Sequence, residues 1–162
     1  IMELVEDWHL KPLVKALQAL RGVRVLTAVI LAAELGDMAR FATAPQLMAF
    51  VGLVPSEHSS GSSQKRGGIT RAGNGHVRRI LTEAAWAYRC RPAMSHAIRE
   101  RNEQASPQVQ AIAWKAQGRL HNRYKRMLAR GKNKQQTVTA IARELAGFVW
   151  AIARHTPQMN AA

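Results

Sequence analysis

The segment 107–130 divides its polar and apolar residues between two faces of a helix, and this division limits the fold more than any other feature of the sequence. With about 100° between successive helical residues, the cations fall within one narrow arc and the apolar residues occupy the adjoining arc. Ser106 and Pro107 supply a cap and a first helical position. We therefore predict a long helix that buries one face. Its cations, called the basic stripe below, are Lys115, Arg119, Arg123, Arg126 and Arg130.

Apolar residues recur at helical spacing along most of the chain, so the predicted fold class is all-α, a compact helical domain. Further helices are predicted over residues 1–10, 12–20, 24–35, 45–51, 74–89, 93–104 and 136–154. The alternation typical of strands occurs only weakly, at residues 68–70. We divide the chain into a domain core at 1–92 and a basic helical extension at 93–162 that packs on it.

A short break at Arg21 and Gly22 separates two of these helices. A helix, a glycine-containing turn and a second helix outline a helix-hairpin-helix element, in which amides of the turn contact a DNA phosphate. The usual turn carries two glycines, and Arg24 stands where the second would be. An ordinary turn between two helices is the alternative interpretation.

The net charge indicates a polyanionic partner. The 162 residues include 24 Lys and Arg against 10 Asp and Glu, a formal net charge of +14. Such an excess favours nucleic acid as the partner. The basic stripe, with no acid between Glu103 and Glu144 to offset its charge, is expected to bind the nucleic acid. An anionic membrane surface is the weaker alternative, because the basic helices lack the broad aromatic and apolar face that an interfacial helix needs.

Other features exclude several classes of protein. The single cysteine, Cys90, excludes an internal disulfide, and no group of Cys and His has zinc spacing, so we expect no metal in this chain. The longest apolar run, at 25–33, is too short to span a bilayer, and no secretory signal pattern occurs. We expect a cytoplasmic, nucleoid-associated protein with no membrane partner. The chain starts at Ile1, which suggests a piece of a longer protein, although cloning or proteolysis would leave the same start.

Residues 59–68 contain four serines and three glycines and are predicted to form an irregular loop whose hydroxyls and amides face a phosphate. By composition alone, such a stretch is more often a flexible linker. The apolar runs on both sides end abruptly, however, and a helix that Asn74, behind Gly73, is expected to cap starts among cations just after the loop, which favours an anion site. The residues expected to bind nucleic acid here are Lys65, Arg66, Arg71, Asn74, Arg78 and Arg79.

Four strings in this order resemble one known family. They are TAVILAAELGDMARF at 27–41, LMAFVGLVPSEHSSG at 47–61, RGGITRAGN at 66–74 and RRILTEAAWAYR at 78–89. Over residues 20–92 the chain is similar to the C-terminal transposase domain of the bridge-RNA-guided insertion-sequence transposases, which are relatives of the pilin-gene DNA invertases.

This resemblance implies a serine-recombinase-like transposase built from two halves. The present half would supply a nucleophilic serine, Ser60, which directly precedes Gly61, and the adjacent Ser59 is the other candidate. The other half would be a ribonuclease-H-like domain that binds a divalent metal such as Mg²⁺. That half is not in this chain, so the chain alone is not expected to cleave DNA. The implied partners are DNA, a guide RNA and, in the full-length protein, further copies of itself.

Two other interpretations stay open. One is a non-catalytic basic helical module that binds guide RNA or DNA, with the serines lining a phosphate pocket. The other is an architectural protein that assembles through the helix at 136–154.

Overall fold

The computed structural model describes residues 8–60 and 63–156 and, within these, only the backbone of residues 57–60 and 63–66. Helices dominate this part of the chain, so the predicted all-α class is confirmed for the body of the molecule. The helix predicted at 1–10 lies almost entirely outside the described residues. The α-helices are α1 Lys11–Leu17, α2 Val25–Leu35, α3 Ala44–Phe50, α4 Gly75–Ala85, α5 His96–Glu103, α6 Pro107–Ala129 and α7 Lys134–Arg154.

The segment that was expected to be an irregular loop instead forms an antiparallel hairpin. Its strands are β1 Pro55–Ser60 and β2 Ser63–Ile69, and the register pairs Pro55 with Ile69 at one end and Ser60 with Ser63 at the other. A bulge between Pro55 and Glu57 bends the first strand. Serine and glycine have low strand propensity, which is why composition favours a loop here; propensity for strands depends strongly on context.

Several helices begin at side-chain caps that the sequence predicts. The side chain of Asn74 accepts a hydrogen bond from the amide of Val77 at 3.0 Å, and Ser106 accepts one from Val109 at 3.4 Å. Each such cap satisfies an amide that has no partner within the helix and contributes about 1 kcal/mol. The starts of α4 and α6 are therefore fixed by local sequence.

The C-terminal helix α7 lies at the centre of the core. It packs against α1, α3, α4 and α6, and its apolar face is almost completely buried, as the spacing predicts. Burial of one such side chain contributes roughly 1.5–3 kcal/mol. The two parts into which we divide the chain thus share one hydrophobic core, which runs from Leu13 to Ala153.

The turn between α1 and α2 packs against the rest of the molecule. Gly22 has φ +83°, and a Cβ atom there would lie 2.4 Å from the carbonyl oxygen of Ala84 in α4. The carbonyl oxygen of Val23 accepts a hydrogen bond from Arg101 at 2.9 Å. Gly22 is therefore needed for close packing, which is the role it has in an ordinary turn between helices.

No helix within the described ranges is long and apolar enough to cross a membrane.

Candidate nucleic-acid interface

The hairpin joins the helical body through a short neck, which consists of residues 50–54 and 70–74. Three backbone hydrogen bonds close it: Thr70 N to Val54 O at 2.9 Å, Arg71 N to Gly52 O at 3.2 Å, and Asn74 N to Phe50 O at 3.2 Å. These bonds continue the pairing of the two strands toward α3 and α4. The neck thereby fixes the direction in which the hairpin leaves the body.

Two glycines allow the halves of the neck to approach each other. Gly52 and Gly73 have φ of +68° and +77°, a region that favours glycine. A Cβ atom on Gly52 would lie 2.0 Å from the oxygen of Ala72, and one on Gly73 would lie 1.8 Å from the oxygen of Phe50. No other residue type fits either position without a backbone shift.

Arg71 also has a positive φ, of +55°, and it is the only non-glycine residue with this property in the described parts of the chain. Left-handed backbone in a residue other than Gly, Asn or Asp is uncommon and costs about 1–2 kcal/mol. The neck holds Arg71 in this conformation through its amide bond to Gly52. Its exposed side chain lines the cleft described next.

A cleft of about 980 Å³ lies between the base of the hairpin and the junction of α6 with α7. One wall consists of the neck and the end of β2, including Gly67, Gly68 and Ile69, and the other consists of α6 and α7. No Asp or Glu is among the residues that line it. We call it the basic cleft, and its cations are Arg71, Arg123, Lys132 and Arg143.

The basic stripe on α6 is only partly free of counter-charge, which corrects the expectation from the sequence of α6 alone. Glu144 of α7 accepts from Arg119 Nε at 3.1 Å and from Arg123 Nη1 at 2.6 Å. Its carboxylate is only 15% exposed, whereas the Arg119 side chain is 60% exposed. The neighbouring helix supplies this acid, so inspection of one helix could not show it. Lys115, Arg126 and Arg130 are exposed.

The two arginines near the start of α4, Arg78 and Arg79, have different surroundings. Arg78 Nη1 donates to the carbonyls of Val51 at 3.0 Å and Ala72 at 3.3 Å, so its guanidinium ties the neck to α4. Arg79 is exposed and lines a separate groove of about 330 Å³ between α2 and α4. The expected contact of Arg78 with nucleic acid stays a prediction. In the structure this side chain also stabilises the neck through its two hydrogen bonds.

Glu34, at the end of α2, holds the side chain of Asn74 and that of the nearby His76. Asn74 Nδ2 donates to Glu34 Oε2, and His76 Nδ1 lies next to Glu34 Oε1, both at 2.9 Å. The hydrogen bond from Asn74 and then that from His76 lower the pKa of Glu34. Asn74 is predicted to contact nucleic acid, but both polar atoms of its side chain already have partners: the oxygen accepts from the amide of Val77 and the nitrogen donates to Glu34.

The candidate nucleophiles lie on β1, at its end farthest from the neck. The register places Ser60 opposite Ser63 and Ser59 opposite Gln64. Since a strand rises about 3.3 Å per residue, β2 separates this end from the neck by roughly 20 Å. The side chains of Ser59, Ser60, Lys65 and Arg66 lie outside the described residues, so their roles stay predictions.

Lys132 and Arg143 were not among the residues that we predicted for the interface. The sequence nevertheless carries a signal for Arg143, because Arg143 and Glu144 are the only charged residues between Gln135 and Ala153. An isolated charged pair on a buried helix marks the place where that helix reaches the surface.

Within the described ranges no three His, Cys, Asp or Glu side chains come together as metal ligands.

The fold and the site define a mostly helical module in which a cationic cleft lies against a two-stranded hairpin. Residues 14–99 match the model of the transposase IS116/IS110/IS902 family, and the chain belongs to that family. The match includes the neck and both strands, whereas α6 and α7 lie beyond it.

Relatives from insertion sequences, and others named as transposases, extend this comparison. A Sinorhizobium fredii protein named as transposase y4qE is 51% identical over 158 residues, which cover 98% of this chain and 40% of the relative. The transposase for insertion sequence element IS1111A of Coxiella burnetii is 43% identical over 70 residues, 43% of this chain and 19% of the relative. A protein of insertion element IS110 from Streptomyces coelicolor is 28% identical over 143 residues, 88% of this chain and 29% of the relative. The chain thus spans less than half the length of these relatives.

Proposed function

We propose that this chain is the part of an insertion-sequence transposase that binds DNA and supplies a serine nucleophile for strand cleavage and rejoining. Family membership and the transposase names of its relatives support the reaction class. The observation that carries the proposal is the basic cleft, because it places cations from four segments around one opening. No Asp or Glu lines the cleft, although Arg123 is paired with Glu144 from outside the lining. Phosphate contacts of this kind position DNA irrespective of its sequence.

The geometry suggests a division of tasks between the cleft and the hairpin. The cleft binds the DNA backbone, and the far end of the hairpin, roughly 20 Å of strand away, meets the DNA about six phosphates further along one strand. In the chemical step, the oxygen of Ser60 attacks phosphorus and loses its proton to a base. The bond from phosphorus to one sugar oxygen breaks, and that oxygen takes a proton. The reverse reaction, with a new sugar hydroxyl as attacking group, joins the strand.

We further propose a divalent-metal-binding second half as partner, together with a guide RNA and other copies of the full-length protein. We assign metal binding to that second half. The residues of this chain position the DNA and provide the nucleophile.

The experiment that tests the nucleophile uses a chimera in which this chain replaces the matching segment of the rhizobial relative, with which it is 51% identical. Protein and substrate DNA are incubated with Mg²⁺, trypsin is added, and peptides are searched by mass spectrometry for an attached nucleotide. We expect the adduct on the peptide that contains Ser60, and its loss in Ser60→Ala but not in the matched control Ser59→Ala. Loss in Ser59→Ala alone would assign the nucleophile to Ser59. An adduct that survives both substitutions would leave a non-catalytic binding module as the function.

A further inference from the structure

A second surface on α6 lies outside the basic cleft and is centred on Trp114. The side chain of Trp114 is 49% exposed, although indole rings contribute most to stability when they are buried. Trp114 is followed along the helix by Lys115 and, one turn later, by Gly118 and Arg119. An exposed aromatic ring on a cationic helix is a feature that the basic cleft does not explain.

Hydrogen bonds attach a segment with a second exposed apolar side chain, Met94, to the stretch of α6 that carries Trp114. Gln117 Oε1 accepts from the amide of Ala93 at 3.1 Å, and Gln110 Nε2 donates to the carbonyl of Asn102 at 2.9 Å. Asn102 Nδ2 in turn donates to Met94 Sδ at 3.4 Å. Gln110 and Gln117 lie one turn before and after Trp114, so these bonds attach the segment with Met94, 36% exposed, to the same stretch of α6.

Gly118 leaves open space on the same face. It lies four residues after Trp114, so the two positions are neighbours along the helix surface. A Cβ atom on Gly118 would meet no atom within 4 Å, and its φ is that of an ordinary helical residue. Glycine in a helix interior weakens the helix relative to alanine. Packing within the chain therefore gives no reason for glycine here, whereas close approach of a ligand to the backbone does.

The charges around this surface fit an anionic strand. No Asp or Glu occurs on α6, and Lys115, which directly follows Trp114, is exposed, as is Lys125 about three turns further along the helix. Arg21 Nη1 donates to the carbonyl of Arg91 and to Gln117 Oε1, so the Arg21 guanidinium lies beside the helix turn that follows Trp114. An apolar protein partner would not need this charge, whereas a nucleotide presents a flat base next to a phosphate.

We propose that Trp114 is a stacking platform for an unpaired base of a bound nucleic-acid strand, either DNA or RNA. Gly118 leaves room for the base, and Lys115, the next residue along the helix, contacts a flanking phosphate. This inference deepens the proposed function and rests on it, because it names unpaired nucleotides as a ligand in addition to the duplex in the basic cleft. Cleavage of a duplex by a transposase exposes such nucleotides.

The test measures binding of the chain to three fluorescent probes at one salt concentration: a single strand of DNA, a single strand of RNA and a DNA duplex. Trp114→Ala should weaken binding of the single strands about 5- to 150-fold, the range that loss of one aromatic stacking partner produces, and should change duplex binding less than twofold. Gly118→Leu places a bulky side chain in the open space and should act in the same direction without loss of folding. Leu26→Ala, at a residue that is 54% exposed on α2, is the matched control and should have no effect.

Each result decides the inference. Equal loss for single strands and duplex, or no loss in either variant, would overturn it, and the proposed function would stand as long as the wild-type chain binds the duplex. A wild-type chain that binds neither kind of probe would overturn the proposed function itself. A change from dimer to monomer in Trp114→Ala, with unchanged affinity for the strands, would show that this surface is an interface between copies and would also overturn the inference. The DNA and RNA probes show which strand the surface prefers.

Discussion

At the scale of single residues, two glycines decide whether the neck of the hairpin forms. Gly52 and Gly73 let the backbone segments of the neck approach so closely that the carbonyl of Phe50 can accept from the amide of Asn74. The same approach forces Arg71 into left-handed backbone and directs its side chain into the basic cleft. Gly52 and Gly73 therefore help to fix the position of Arg71 in the basic cleft.

Substitution of Gly73 should test this steric requirement. We expect Gly73→Ala to lower the free energy of unfolding by about 3 kcal/mol or more, because the positive φ is strained and the Phe50 carbonyl must move. Gly131→Ala is the matched control, since Gly131 has φ +74° but no atom within 4 Å of a Cβ. It should cost only about 1 kcal/mol. Urea unfolding followed by circular dichroism measures both. Equal losses would show that the close approach in the neck adds nothing.

Residue identities predict some of these roles and not others. Asn74 is recognisable as a cap from its position behind Gly73 and before a helical pattern, because capping is a local interaction. Arg78 is recognisable only as an outward-facing cation. That its guanidinium donates to Val51 and Ala72 depends on how the two halves of the neck meet. Pairing between distant backbone groups leaves no signal in local composition.

At the scale of elements, the helices follow from the sequence and the hairpin does not. The starts of α4, α6 and α7 lie within two residues of those predicted, because apolar spacing and caps act locally. The strands contain few β-branched or aromatic residues, so their pairing depends on the neck and on the register. The charge balance of α6 likewise depends on Glu144 of another helix.

The shared carboxylate of Glu144 should limit how strongly α6 attracts a polyanion. In Glu144→Gln, Arg119 and Arg123 lose their counter-charge, so duplex DNA should bind more tightly, with a steeper salt dependence by up to about 0.9 per released arginine. The free energy of unfolding should fall by about 1–3 kcal/mol, because the Arg123 guanidinium, whose Nε is already buried without a partner, loses its ion pair.

Glu83→Gln controls for the change in net charge, since Glu83 is an exposed acid on α4 outside the basic cleft. DNA titrations at several salt concentrations and urea unfolding give the two readouts. If Glu144→Gln and Glu83→Gln increase DNA affinity equally, the increase comes from the change in net charge, and the ion pairs with Glu144 do not limit DNA binding by the basic stripe.

At the scale of the whole molecule, the basic cleft is assembled from segments that are far apart in the chain. Arg71 comes from the neck, Arg123 from α6, Lys132 from the following turn and Arg143 from α7. The matched family region supplies the first of these, and the part of the chain beyond residue 99 supplies the others. The sequence predicts a basic surface on this chain, but only the packing of α7 in the core brings these cations to one opening.

This assembly predicts the salt dependence of duplex binding. Combined replacement of Arg71, Lys132 and Arg143 by alanine should reduce the slope of log K against log salt by roughly two to three units, because each phosphate contact contributes about 0.9. The control removes the same charge from Arg24, Arg89 and Arg99, which are exposed and do not line the cleft. Fluorescence anisotropy between 50 and 200 mM salt, roughly the range over which such contacts lose most of their affinity, measures the slopes. If the cleft binds the DNA backbone, the slope for the variant without Arg71, Lys132 and Arg143 must be well below the slope for the control variant. Equal slopes would mean that the duplex senses only the total charge of the molecule, and the cleft would then have no part in binding.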